Sequence, residues 1–218
     1  MCNRMHEIIK TQKLFVQALM CLDAGRCREL LAGLKAGENN SIHPEEVVVP
    51  ALEKIGQAWE AGDISLSQVY MSSRICEQVM EKILPQASIS HDNRLKLAIG
   101  VIKDHHALGK RMVISSLRAA GYSPVDLGHG LKGDELVEGA LREKADILLI
   151  SCLMLASAMH VKDVVEGLKR AGSQIPVVVG GAPFRLDPTL WQEIGAQAAG
   201  NNSAEAVEIV RNFAGRRP

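Results

Sequence analysis

Aromatic residues are scarce: Phe, Trp and Tyr make up 3% of the 218-residue chain. Any core must therefore be assembled from Leu, Ile, Val, Ala and Met. An excess of charge of one sign is also missing. Lys and Arg number 25 and Asp and Glu number 25, so the formal net charge is zero. A nucleic-acid surface needs a basic excess, and the only basic cluster is the pair Arg216-Arg217, so no nucleic-acid partner is expected. No apolar run reaches the ~18 residues of a membrane span, so no membrane partner is expected either. The segment 1–13 is polar and mixed in charge, unlike a secretory leader. No C-x-x-C pair occurs among the five cysteines, Cys2, Cys21, Cys27, Cys76 and Cys152. Their odd number and their apolar surroundings read as free, mostly buried thiols in a reducing cytoplasm. Metal binding by these cysteines is the lesser alternative.

What is present divides into two halves. Residues 1–85 carry helical periodicity throughout. A first helix is expected over 7–22, with Ile8, Phe15, Ala18, Leu19 and Leu22 near one stripe and Gly25 closing it. A second is expected over 26–36, ending at Gly37. Pro44 suits the first turn of a third, which Val47, Leu52 and Ile55 carry to Trp59. Gly62-Asp63 breaks that helix. Ser65 and Gln68 form a capping box for a fourth, with Val69, Ile75, Val79 and Ile83 as its stripe and Pro85 as its stop. Four helices with short connections predict an antiparallel bundle. The polar, aperiodic stretch 86–94 reads as a linker, and the domains are expected at 1–88 and 89–218.

Beyond residue 94 the pattern changes. Strands are expected at 95–102, 124–127, 147–151, 175–179 and 197–199. Helices are expected at 108–120, 134–144, 158–171, 187–194 and 204–213. This alternation predicts an α/β domain, a five-stranded parallel sheet covered on both faces, of flavodoxin-like (Rossmann-like) form. Ligands of such folds bind beyond the carboxyl ends of the strands.

The loops at that edge carry the chemistry. After the first strand comes Lys103-Asp104-His105-His106-Ala107-Leu108-Gly109-Lys110, containing D-x-H-x-x-G in Asp104, His106 and Gly109. An aspartate two residues before a histidine can hold one ring nitrogen and leave the other to ligate a metal. Gly109 lets a bulky ligand come close as the helix begins. The motif is short, and the plain reading is a capped helix start with surface histidines. After the third strand, Ser151 to Ser157 crowds small and hydroxylated residues at the same edge, as an ordinary Ser/Ala-rich helix start also would. After the fourth, Gly180-Gly181 removes side chains where a ligand could pass, or simply forms a turn. Three loops at one edge, all suited to one large ligand, say more than any one.

With those residues in view, the chain resembles the cobalamin-binding domain of corrinoid proteins and of cobalamin-dependent methionine synthase. The resemblance rests on D-x-H-x-x-G (Asp104, His106, Gly109), S-x-L (Ser151, Leu153) and G-G (Gly180, Gly181), in order over roughly residues 95–213. The helical half resembles the family's cap module in the stretch from Ile55 to Asp63 and in Leu66-Ser67-Gln68-Val69. The resemblance implies cobalamin bound with its own base displaced. His106 would be the lower cobalt ligand, Asp104 its hydrogen-bond partner and Ser157 an extension of the relay. The nucleotide tail would lie along Ser151, Leu153, Gly180 and Gly181. Trp59 and Leu66 would cover the methyl face, where the plain reading makes both residues bundle core. The cofactor would alternate between methylcobalamin and Co(I)-cobalamin.

The resemblance further implies a non-catalytic carrier subunit. A substrate:corrinoid methyltransferase, of O-demethylase, methylamine or methanol type, would load it. A corrinoid:tetrahydrofolate or corrinoid:thiol methyltransferase would unload it, and a reductive activase would restore it. Cap opening would use 86–94 as a hinge. Lys103, Ala107 and Leu155 depart from the family's usual Gly, Asp and Thr. His105 is a neighbouring candidate ligand, His129 reads as a surface loop residue and His160 as helix surface. A cobalamin-sensing regulatory module is the alternative function.

Overall fold

The computed structural model describes residues 2–35, 42–83 and 95–215. Chain packing divides it into two compact units, Met1–Pro85 and Gln86–Pro218. The segment 86–94 read as linker and hinge, the helix stop at Gly37 and the pair Arg216-Arg217 lie outside the described residues.

The first unit holds α1 (Cys2–Met20), α2 (Ala24–Ala32) with a 3-10 turn at Gly33–Lys35, α3 (Glu45–Glu60) and α4 (Leu66–Ile83). Helix α1 packs on α2 and α3, and α4 packs on the same two. Phe15, Leu19, Leu31, Val47, Ala51, Ile55, Val79 and Met80 are buried between them. Gly25 does not close α1. The chain turns instead at Leu22, whose φ is +56°, where Asp23 N donates to Ala18 O at 2.8 Å. Asp23 then caps α2 by accepting from Arg26 N at 2.9 Å, which places Gly25 inside α2. The capping box is present: Ser65 N donates to Gln68 Oε1 at 2.9 Å, and Gln68 N donates to Ser65 Oγ at 3.3 Å.

The second unit runs β1 (Leu97–Ile102), α5 (Leu108–Ala119), β2 (Val125–Leu131), α6 (Gly133–Arg142), β3 (Ile147–Ser151), α7 (Leu155–Met159) and α8 (Val161–Arg170). It continues through β4 (Val177–Gly180), α9 (Ala182–Leu186), α10 (Leu190–Glu193), β5 (Ala198–Gly200) and α11 (Ser203–Gly215). The five strands are parallel in the order β2-β1-β3-β4-β5, so the flavodoxin-like expectation holds. Alternate residues serve opposite faces. Ala98, Ile102, Leu148, Ile150, Val177 and Val179 pack with α6 and α8 residues. Leu97, Ile99, Ile147, Leu149 and Val178 pack with α5 and α11. Each Val, Leu or Ile among them contributes about 1.5–3 kcal/mol when fully buried.

Three elements differ from expectation. The helix expected at 158–171 is two, α7 and α8, meeting at His160. The helix expected at 187–194 is the short α10, preceded by the unexpected α9. Strand β2 runs on to Leu131, so Gly128-His129-Gly130 is strand and not loop. No described helix is long and apolar enough to cross a membrane.

Candidate functional site

Order reversal puts β1 between β2 and β3, and the chain leaves β1 at that switch point. It does so through a tight turn of the γ type: Asp104 N donates to Ile102 O at 2.6 Å around Lys103, whose φ is +51°. This is strained backbone for a residue with a Cβ. Two bonds sew the turn to β2. Lys103 N donates to Leu131 O at 2.9 Å, and Gly130 N donates to Asp104 O at 2.7 Å.

On its other side the turn is held by the Asp104 carboxylate. Oδ2 accepts from Leu153 N at 2.8 Å and Met154 N at 3.2 Å, with the residue only 7% exposed. One buried carboxylate thus joins the β1–α5 loop to the β3–α7 loop. The structure shows no bond from Asp104 to His106; the two amides occupy Oδ2. Oδ1 has no partner among the described residues. Substituting Asp104 by Ala strips two amides of a charged acceptor. We expect a loss of about 2 kcal/mol in chemical denaturation, less than the buried extreme because both donors are near solvent. Asp104→Asn keeps an acceptor oxygen and is expected to lose less than half of that.

His106 follows on the same loop. It is exposed and makes no hydrogen bond to any described residue. The histidine loop is not a side-chain-capped helix start: Ala107 stands at the N-cap of α5 without a capping bond. Across the edge, Ser151 ends β3, and a Cβ on the exposed Gly109 would stand 3.5 Å from its Oγ. Leu153, Met154, Leu155 and Met159 are exposed and form an apolar lip. Ser157 on α7 is 6% exposed, and its hydroxyl has no partner among the described residues. The Cys152 thiol is raised above its ordinary range by burial and by the nearby Asp104 charge, which keeps it neutral and a poor ligand.

Gly180 and Gly181 form a floor without side chains, and the fold itself requires them. A Cβ on Gly181 would lie 1.8 Å from Cys152 O, and one on Gly180 would lie 3.0 Å from Gly200 O. Gly130 makes room for a histidine: its added Cβ would meet His105 Cε1 at 2.6 Å. His105 in turn meets His129 edge-on, ring centroids 5.7 Å apart.

Two further residues escaped the sequence. Lys103 Nζ lies 3.0 Å from His160 Nε2, and His160 Nδ1 lies 3.0 Å from Asp163 Oδ2. His160 is therefore part of this edge, not merely helix surface. In the helical unit, Trp59 and Leu66 are 46% and 65% exposed. Neither belongs to the bundle interior. They occupy the last turn of α3 and the first of α4, with Tyr70 and Met71 also exposed nearby in sequence.

No group of three His, Cys, Asp or Glu that could hold a metal ion occurs among the described residues. The exposed His106 ring has one nitrogen donor to offer, which suits a metal that brings its other ligands with it, as in a macrocycle. The glycine floor, the apolar lip, the orphaned buried Ser157 hydroxyl and the free imidazole fit such a group.

Comparison with known proteins agrees. Two models described as B12 binding domain match residues 96–210 and 11–84. The chain is 31% identical to monomethylamine corrinoid protein 2 of Methanosarcina acetivorans over 173 residues, covering 75% of this chain and 78% of that one. It is 32% identical over 181 residues to trimethylamine corrinoid protein 1 of the same organism, covering 78% and 82%. The solved structure of the Methanosarcina barkeri monomethylamine corrinoid protein superposes with a TM-score of 0.77 at 27% identity, covering 91% of this chain and 95% of that one.

Proposed function

Because the chain belongs to the B12-binding family of corrinoid proteins, we propose that it carries a methyl group on cobalamin between two methyltransferases, with His106 replacing the cofactor's own base as the lower cobalt ligand. The bound cobalamin supplies the metal that takes up and releases the methyl group. The protein's residues hold and shield it. His106 offers a nitrogen that has no other partner among the described residues. Asp104 fixes the turn that carries His106, and its remaining oxygen, Oδ1, is available to orient the ring. The Ser157 hydroxyl extends that polar chain. Ser151, Leu153, Gly180 and Gly181 receive the nucleotide tail along the β3 and β4 ends. Trp59 and Leu66, on the helical cap, exclude water from the methyl face.

The partner that loads the carrier is a methylamine-, methanol- or aryl-ether-type methyltransferase. The partner that unloads it passes the methyl group to tetrahydrofolate or a thiol, and a reductive activase rescues the oxidised cofactor. The names of the relatives, monomethylamine and trimethylamine corrinoid proteins, support the methylamine type among these.

The observation that carries this reading is His106: an exposed imidazole at the switch point with no hydrogen-bond partner among the described residues, beside a carboxylate that is already anchored. The test is reconstitution with hydroxocobalamin followed by gel filtration and a visible spectrum. The wild-type protein is expected to retain the corrinoid in a histidine-ligated form. His106→Ala is expected to show a base-off spectrum and at least ~10-fold weaker retention. Corrinoid lost from both proteins would refute cobalamin carriage. Identical spectra would remove His106 from the cobalt.

A further inference from the structure

We propose that Lys103 is a positioning residue for His106, acting through His160. The inference rests on the reading of His106 as the cobalt ligand.

The turn 102–104 aims the loop on which His106 sits three residues later. It holds Lys103 at φ +51°, a conformation that a residue with a Cβ keeps only when its surroundings enforce it. Backbone bonds to β2 and the Asp104 carboxylate hold the turn from below and from within. Beyond Asp104 the loop is less constrained. His106 has no hydrogen-bond partner among the described residues, and Ala107 gives the start of α5 no side-chain cap. The Lys103 side chain supplies an outer tie. Its ammonium can only donate, so His160 Nε2, 3.0 Å away, must accept. The carboxylate of Asp163, 3.0 Å from Nδ1, takes the ring's proton-bearing nitrogen. Both partners thus favour the Nδ1–H tautomer of His160, which presents its Nε2 lone pair to Lys103.

His160 is well placed to act as an anchor. It sits at the junction of α7 and α8, and its N–H donates to Ser157 O at 3.1 Å. Asp163 lies in the first turn of α8, against the start of α6, where a Cβ on Gly133 would stand 3.4 Å from Asp163 Cβ. The tie from Lys103 therefore links the loop of His106 to the helix of Ser157 on a buttressed base. With it, the separation of the two side chains is set from both sides of the turn.

The experiment uses cobalamin-loaded protein reduced to the cobalt(II) form. Axial nitrogen ligation splits its electron paramagnetic resonance lines into triplets. Lys103→Met keeps the strain and removes the tie; Lys103→Gly removes both; Lys103→Arg restores a donor; His160→Ala removes the anchor. We expect wild type and Lys103→Arg to show the nitrogen splitting in most of the cobalt. Lys103→Met, Lys103→Gly and His160→Ala are expected to show it in less than half, with folding unchanged by circular dichroism. Amide hydrogen exchange of unloaded Lys103→Met should be faster over 104–109 than in wild type. Full splitting in Lys103→Met and His160→Ala would overturn the proposal and leave the cobalt-ligand reading intact. So would full splitting in Lys103→Gly, which would show that ligation needs neither the tie nor the strained turn. No splitting in wild type would overturn that reading itself, and the proposal with it.

Discussion

Replacing Gly181 by Ala is expected to cost about 3 kcal/mol or more and to lower the melting temperature by roughly 10 °C. Two separate penalties add. Gly181 has φ +119° and ψ −176°, a region open to glycine and nearly closed to other residues. The methyl group would also be built 1.8 Å from the Cys152 carbonyl oxygen. That obstacle is backbone and cannot rotate aside. Cys152 N is bonded to Gly180 O at 2.9 Å, so the clash falls where β3 and β4 are still joined. Any relief must push the β3–α7 loop outward. The first groups to move would be the Leu153 and Met154 amides that hold Asp104. Corrinoid retention should therefore fall together with stability. A Gly181→Ala protein that melts within 2 °C of wild type would show that this part of the edge is far more compliant than its geometry implies.

The second large effect concerns Lys110, only 3% exposed in the first turn of α5. Its Nζ donates to Asp126 Oδ1 at 2.5 Å and to Gly128 O at 3.0 Å. Asp126 is 44% exposed. The two halves of the pair are therefore unequal. Removing the lysine head leaves a carboxylate that water can solvate; removing the carboxylate strands a buried ammonium. Asp126→Ala also deletes the acceptor of Gly128 N, which lies 2.8 Å from Oδ1. Urea denaturation is expected to give a loss of about 3 kcal/mol for Asp126→Ala and about 1 kcal/mol for Lys110→Met, which keeps the apolar stem. Equal losses, or the reverse order, would mean that the ammonium is not desolvated in solution.

The sheet was legible in the sequence because continuous apolar runs bounded by turn residues suit only a strand buried on both faces. Strand β3 falls where expected, and β1 begins two residues late. Strand β2 was cut short because Gly128, His129 and Gly130 look like a turn. Hydrogen bonding to the β1 turn carries the strand through them. The junction inside 158–171 was invisible because apolar spacing continues unbroken across His160. Helix α9 left a signal that went unused, proline within its first turn. The choice of Leu22 over Gly25 as the turning point overrides a local preference: Asp23 caps α2 so early that Gly25 is already inside it.

At the site, the motif Asp104, His106, Gly109 located the edge but not its wiring. Sequence spacing suggested a carboxylate serving the nearby histidine. Folding gives one of its oxygens to amides some fifty residues away. The roles of Lys103 and His160 depend on a backbone angle and on a partner 57 positions distant, and no short-range pattern encodes either.

Strand β2 forms one border of the sheet, and its pairing with β1 is broken twice, between Ile99 and Gly100 and between Gly100 and Ile102. The turn that presents His106 is sewn to the irregular part of this strand. The same irregularity has a second effect. A straight outer strand is a template on which another chain can add, leading to aggregates. Extra residues twist and interrupt the row of free amides and carbonyls. The distortion that shapes the histidine loop thus also makes this margin a poor seed for intermolecular β-pairing.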